Sequence, residues 1–346
     1  MIKERMVRAM LEPLVNKAIK DIKNDPERAL RNTVDLALNF PVGRFSKKLF
    51  QITQKMLTDE KSAYYNLVKK IAADVDVENL KDFTVNIGYN SCTAGAKRLR
   101  EKEAEMGFAI PWSISLYSSR TPDWSEYIEK IINQGNNLGI FLYPVFGGMA
   151  FDYKMIDIYK RHSDCAFVLI VKTSDISEKN LDNIQGINNI LISINGNEEN
   201  LLTDAANMLC GYGRLFACHK YYSDENYAVL LENDFLKSLE KFTDSFVFYI
   251  PEIVCSTDAA DEIKTKVIQI RDSQQYAFVL MDLKNDLYVI DGIISGGAYS
   301  IGFKSDGTLV TRDGIIDDKN CDIKSNSLVE ILKALNEINN NKNQTN

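Results

Sequence analysis

Residues 143–196 decide how this chain is read: YPVFGGMA (143–150), FDYKMIDIYKRH (151–162), CAFVLIVKTSD (165–175), ISEKNLDNIQG (176–186) and INNILISING (187–196). The first, third and fifth pieces are strand-like. The second and fourth have the amphipathic spacing of helices. Each strand-like piece ends in small or polar residues, where α/β barrels and open α/β sheets place their ligands.

The same alternation extends to both sides. Strands are expected at 113–119, 139–145, 166–172, 189–195, 215–220 and 245–250, with helices at 124–134, 153–162, 177–184, 200–210 and 227–242. Six βα units spaced 20–30 residues apart predict an α/β fold with a parallel sheet curled into a partial (β/α)6 TIM-like barrel over residues 81–256.

Ahead of it, residues 1–80 read as a helical extension. Val7, Leu11, Leu14, Ala18 and Ile22 share one helical face, interrupted by Pro13. Asp25-Pro26-Glu27 has the form of a helix start, for a helix running to Leu38. Asn39-Phe40-Pro41-Val42-Gly43 breaks it, and further helices are expected at 44–56 and 59–73. Residues 82–90, DFTVNIGYN, alternate like a strand, and a helix follows at 94–106, closed by Gly107. A helix at 259–271 leads to YAFVLMDL, after which DLYVIDG, SGGAYSIGFKSDG and TLVTRDG are read as β segments, with a hairpin turn at 304–307. A helix at 327–338 closes a C-terminal module spanning 257–338, and the Asn/Lys-rich tail 339–346 is expected to be disordered.

With 45% hydrophobic and 26% charged residues, the chain is composed as a globular protein with a sizeable core. Its net charge of −7 argues against a general nucleic-acid binder. Residues 1–60 hold 12 basic and 8 acidic residues, so the basic head sits on an acidic body and is a candidate for peripheral membrane contact. No apolar run is long enough to span a bilayer and no signal-peptide core is present, so a cytoplasmic location is expected. The six cysteines (92, 165, 210, 218, 255, 321) form no CxxC pair, and the two histidines lie far apart, so no metal site is expected.

The order of these pieces resembles the radical S-adenosylmethionine (radical SAM) enzymes that carry a SPASM-like C-terminal region. Ile110-Pro111-Trp112-Ser113-Ile114 is similar to that family's first barrel strand. Gly147-Gly148-Met149-Ala150 stands where the family has Gly-Gly-Glu-Pro, Thr173-Ser174-Asp175 where it has Thr-Asn-Gly, and Ile192-Ser193-Ile194-Asn195-Gly196 resembles its Ile-Ser-x-Asp/Glu-Gly. Asp291-Gly292-Ile293-Ile294-Ser295-Gly296-Gly297, Ser305-Asp306-Gly307 and Asn326–Ile331 resemble the SPASM-like region. The resemblance implies a barrel whose strand ends hold SAM, here through Gly147, Gly148, Thr173, Ser193 and Asn195. The departures point the other way. The family's CxxxCxxC after the first strand, which supplies three thiolates to a [4Fe–4S] cluster, is replaced by a short SSRTPD connection. Met149 and Ala150 stand in for the carboxylate and proline of the SAM-amine motif, and Ile293 and Arg312 for auxiliary-cluster cysteines.

Without a cluster the side chains cannot supply radical chemistry. No [4Fe–4S] cluster is expected, and no catalytic residue is assigned. His219 stands beside Cys218 on the fifth strand, but neighbours on a strand point to opposite faces and cannot pair. The 282–286 acidic run lacks the Gly and Glu of a calcium loop. Gly147-Gly148 serve either a ligand's close approach or a tight turn. Ser193 and Asn195 face one way and either line a nucleoside-sized cavity or plug the barrel mouth. The expectation is a non-catalytic radical SAM-like protein that binds a peptide, a small molecule or a protein partner such as an active radical SAM paralogue. A cluster-free enzyme retaining a SAM pocket and a membrane-peripheral adaptor are the alternatives.

Overall fold

The computed structural model describes residues 2–25, 28, 29, 32, 59, 61–119, 121, 123–297 and 300–345. Of the expected N-terminal elements, the break at 39–43 and the helix at 44–56 lie outside these residues, as does most of the helix between them and Asp25. Asp25 Oδ1 does accept from the backbone of Arg28 at 3.2 Å, the contact expected of a helix cap.

Among the described residues the chain forms one ten-stranded sheet in the order β10-β9-β8-β1-β2-β3-β4-β5-β6-β7. The strands are β1 Ile114–Tyr117, β2 Leu142–Phe146, β3 Ala166–Val171, β4 Ile190–Asn195, β5 Phe216–Tyr222, β6 Phe246–Pro251, β7 Val279–Asp282, β8 Ile301–Lys304, β9 Leu309–Thr311 and β10 Gly314–Ile316. From β8 through β1 to β7 every pairing is parallel, and only β9 and β10 run antiparallel. The result is an α/β fold with an open part-barrel, because β7 and β8 do not pair.

Helices α5 Trp124–Leu138, α6 Tyr153–Arg161, α7 Glu178–Asn183, α8 Glu199–Gly211, α9 Tyr227–Leu230, α10 Asn233–Leu239 and α11 Thr257–Ser273 alternate with β1–β7. Val247, Tyr249 and Leu280 point outward and form a core with Leu236, Leu239, Ile263 and Val267 of α10 and α11. Strand alternation then turns Phe248 and Ile250 to the concave side. There they join Leu283, Leu287 and Ile294 of α12, Leu283–Ile294.

That helix corrects the sequence reading. DLYVIDG was expected as a strand, yet it lies within α12. Its β-branched and aromatic residues favour a strand locally, but Leu283, Leu287 and Ile294 form a helical stripe that covers the apolar concave face. β8 belongs to the small C-terminal β-hairpin expected here. It extends the barrel sheet alongside β1, with Gly302 so close to Ser115 that a Cβ would lie 2.7 Å from its carbonyl oxygen. The turn expected at 304–307 is present, with Gly307 at φ +98°.

A second correction concerns residues 82–90. The expected strand is the end of helix α3, Val77–Val85, and the start of a π-helix, Asn86–Gly95. Asp76 caps α3 by accepting from Glu78 and Asn79, and Asn86 and Asn90 are buried with their amides bound to other backbone, which fixes them in a helical rather than an extended frame. Helix α13, Leu328–Thr345, runs on through the stretch expected to be disordered. Its first turns are anchored by buried Leu328, Ile331, Leu332 and Leu335, and extending an existing helix costs far less than nucleating one.

The N-terminal helices α1 Ile2–Asn24, α2 Tyr64–Asp74, α3 and α4 Ala96–Met106 bear on the barrel end from which the strands start. Helix α1 is continuous through Pro13, and Leu14 of its expected buried face is exposed. From α2, Lys70 Nζ donates to Thr243 O, and just before α2 Ala63 N donates to Gln274 O at 2.8 Å. Asp76 N reaches Gly213 O at 2.9 Å and Asn86 Nδ2 reaches Cys165 O at 2.9 Å. Those acceptors all precede strands, so the opposite end, where the strands finish, is left as the mouth.

Under this cap lies Asp244, fully buried, accepting from Phe216 N at 3.0 Å through Oδ1 while Oδ2 has no hydrogen-bond partner. Burial pushes its carboxyl up from 3.8 to about 8, against the lowering effects of the Phe216 amide and the Lys70 cation. The unfolded chain then ionises near pH 4 while the folded chain holds the proton to about pH 8, so folding takes up a proton across that window. Stability is expected to fall with rising pH from about 4 to 8, by up to about 1.4 kcal/mol per pH unit from this group, and to level off above. Asp244→Asn keeps the acceptor for Phe216 and should flatten that slope in urea midpoints measured across the window.

Candidate functional site at the barrel mouth

Parallel register brings the concave-face residues of β4 and β5 together, with Asn195 opposite His219. Ser193 Oγ lies 3.0 Å from His219 Nδ1, and both residues are buried. Burial drives the imidazole down to about 3, with Ser193 working against it. His219 is therefore neutral at pH 7. An imidazole held so far below its ordinary range is a weak base for the serine hydroxyl beside it. Cys218 faces the helix side, as alternation requires, and burial pushes its thiol up to about 12.

Thr173 and Asn195, also expected to hold a ligand, bond within the protein through their side-chain oxygens. Thr173 Oγ1 donates to Asn195 O at 2.7 Å, and Asn195 Oδ1 accepts from Asn197 N at 2.9 Å. Gly147 sits at φ +105° and a Cβ there would stand 2.4 Å from Ser118 O, so this glycine serves the close approach of the ends of β1 and β2. Gly148 has open space around it. Ala150 is buried and its carbonyl accepts from Tyr159 at 3.1 Å. The structure therefore brings Thr173 to Asn195 and Ser193 to His219, and leaves Gly148 outside that network.

The iron–sulfur cluster implied by the family resemblance can be tested on the donor set. The 118–123 connection holds no cysteine. Cys92 is buried in the π-helix, Cys165 lies just before β3, Cys210 is on α8, Cys218 faces outward, Cys255 follows β6 and Cys321 lies before α13. Among the described residues, the group of three metal-ligating side chains that does occur contains one cysteine only. These residues do not fit such a cluster.

What the mouth does present is charge and apolar surface. The segments after β1–β6 (118–123, 147–153, 172–178, 196–198, 223–232 and 252–258) contain ten carboxylates and two basic residues. Some carboxylates cap helices, as Asp152 does for Lys154 N at 2.9 Å. Glu225, Glu232 and Glu252 are exposed and have no cationic partner among the described residues. Val229, Ile253 and Val254 stand beside them, with Ile253 fully exposed and Val254 at 80%. The turn at 223–226 and the 252–258 loop are joined through Asp224, whose Oδ1 accepts from Ser256 N at 3.1 Å. Nearer the axis, Tyr117 stacks on Phe146 at 4.8 Å and Tyr221 meets His219 edge-on at 5.3 Å. Sequence inspection missed this rim because its residues are spread over six connections; counting charge by strand end rather than along the chain reveals it.

No family model and no curated protein matches the chain. Among solved structures, the chain is similar to SuiB of Streptococcus suis. For SuiB itself the identity is 11% and the TM-score 0.45, over 63% of this chain and 64% of SuiB. For SuiB bound to S-adenosylmethionine the values are 12% and 0.43, over 63% and 62%. For SuiB bound to the precursor peptide SuiA they are 11% and 0.43, over 63% of each chain. The chain thus spans less than two thirds of SuiB. No helix among the described residues is long and apolar enough to cross a membrane.

Proposed function

We propose that this protein is a part-barrel of the radical SAM type that works by binding, without a cluster, and that its mouth takes a cationic peptide segment carrying apolar side chains. The rim formed after β5 and β6 is the observation that carries this reading. The two connections expose Glu225, Glu232 and Glu252, with no cationic partner among the described residues, together with Val229, Ile253 and Val254. An acidic rim steers a basic partner and repels anionic surfaces, while the apolar side chains give the partner something to bury. The polar groups beneath are satisfied by one another, which suits a floor more than a reaction centre.

The test is titration of a fluorescent Lys/Arg-rich peptide containing Leu and Phe against the full chain. Binding is expected to weaken with salt, and the double variant Glu225→Lys/Glu252→Lys should weaken it on the order of tenfold or more. An acidic peptide of equal length should not bind. Equal affinity of wild type and double variant would overturn the rim as the site. Anaerobic iron–sulfide reconstitution provides the second arm: a stoichiometric cluster that cleaves SAM would sink the cluster-free reading.

A further inference from the structure

We propose that His162, Asp164 and Cys165 form a site for one divalent transition-metal ion, zinc by ligand chemistry, at the barrel end opposite the mouth. Their candidate ligand atoms all lie within 4.8 Å of one another, on the short turn between α6 and β3. One imidazole, one carboxylate and one thiolate are a set that zinc accepts in tetrahedral sites. The combined charge of thiolate and carboxylate neutralises a divalent ion, and water is left to fill the fourth position.

Three further observations point to an ion. His162 is 8% exposed, and its Nε2 is buried without a hydrogen-bond partner. The carboxylate oxygen facing that nitrogen, Glu129 Oε1, is 3.9 Å away, beyond hydrogen-bonding reach, and is held by Arg161 at 2.8 Å. The turn is also held rigid from outside. Asn189 Nδ2 donates to His162 O at 3.0 Å, Asn86 Nδ2 to Ser163 O and Cys165 O at 2.9 Å each, and Asn90 Nδ2 to Asp164 O at 2.8 Å. Four consecutive carbonyls are thus bound by buried asparagine side chains, the outer support that a preorganised metal site needs.

The third observation is Asn136. Its amide satisfies its surroundings when the nitrogen donates to Ile140 O at 3.0 Å and Ile132 O at 3.2 Å. In that orientation the nitrogen, not the oxygen, stands 3.2 Å from Cys165 Sγ. With the nitrogen there, both amide hydrogens go to those two carbonyls, and the acceptor left to the thiol is the Asp164 carboxylate, 3.9 Å from Sγ.

The experiment uses the full chain, stripped with a chelator and titrated with cobalt(II) and then zinc. One equivalent of cobalt is expected, with a thiolate-to-cobalt charge-transfer band that zinc abolishes. Cys165→Ser should remove the band, His162→Gln should weaken binding about tenfold or more, and Cys210→Ser, at an exposed position, should leave both unchanged. Absence of the band in wild type, or its survival in Cys165→Ser, would overturn the site. Should Cys165→Ser not fold, His162→Gln decides: unchanged affinity rejects the proposal.

Discussion

Asp291→Ala should lower the stability of the whole barrel by about 3 kcal/mol, read as an earlier urea midpoint with an unchanged slope. Asp291 is on α12, 1% exposed, and its carboxylate accepts from Trp112 N just before β1 and from Ser300 N at 3.4 Å just before β8. One side chain therefore ties the helix that lines the concave face to the two strands that meet beside it. Removing it strands the buried Trp112 donor and the half-buried Ser300 donor, at about 1–3 kcal/mol for a buried one. The end of α12 has other ties, with Arg100 Nη1 on Ile294 O at 3.2 Å and Glu103 Oε1 accepting from Ile110 N at 2.8 Å and from Ser295 Oγ. The helix should therefore loosen rather than leave. Asp291→Asn keeps one acceptor and should lose only about 1 kcal/mol. If both variants unfold at the wild-type midpoint, α12 is not anchored through this residue.

Gly147→Ala is expected to cost about 3 kcal/mol and to disturb the mouth at the same time. Two terms add. A non-glycine residue at φ +105° is strained by about 1–3 kcal/mol. The new Cβ would also stand 2.4 Å from Ser118 O, a backbone atom that cannot rotate away, so the ends of β1 and β2 must separate. Ser118 N donates to Phe146 O at 2.7 Å and Ser118 Oγ to the same oxygen at 2.9 Å, and both bonds lie on the line of that separation. Gly148→Ala meets nothing within 4 Å and serves as the matched control. Thermal melts of the two variants distinguish the readings of this Gly-Gly pair. Loss at 147 with none at 148 marks a turn, whereas equal stability with weakened ligand binding marks a ligand cradle.

Much of the barrel was legible in the chain. The strands from β1 to β6 and the helices between them fall where short apolar runs and amphipathic segments place them, because helical and extended periodicities differ and both faces of a parallel strand must be buried. The rest was hidden for identifiable reasons. DLYVIDG has the composition of a strand, and only the apolar concave face makes it a helix. DFTVNIGYN alternates, but Asp76 caps a helix just before it and buried Asn86 and Asn90 spend their amides on the 162–165 turn. At the candidate site, alternation already showed that Cys218 and His219 face apart. The partner of His219, Ser193, lies 26 residues away on another strand, and register between strands is a tertiary property. The grouping of His162 with Asp164 and Cys165 was available locally, but two distant histidines drew attention away from a mixed donor set.

The sequence by itself determined the βα rhythm from β1 to β6 and the absence of thiols between β1 and its helix, since each follows from local periodicity or residue identity. Only the tertiary structure decided that Gly147 faces backbone, that the side-chain oxygens of Thr173, Ser193 and Asn195 bond within the protein, that β8 joins β1, and that six separate connections lie at one end of the sheet. The physical reason is common to all of these. They depend on which strands lie side by side and in what register, and that choice is made by burial of the whole sheet rather than by any segment alone.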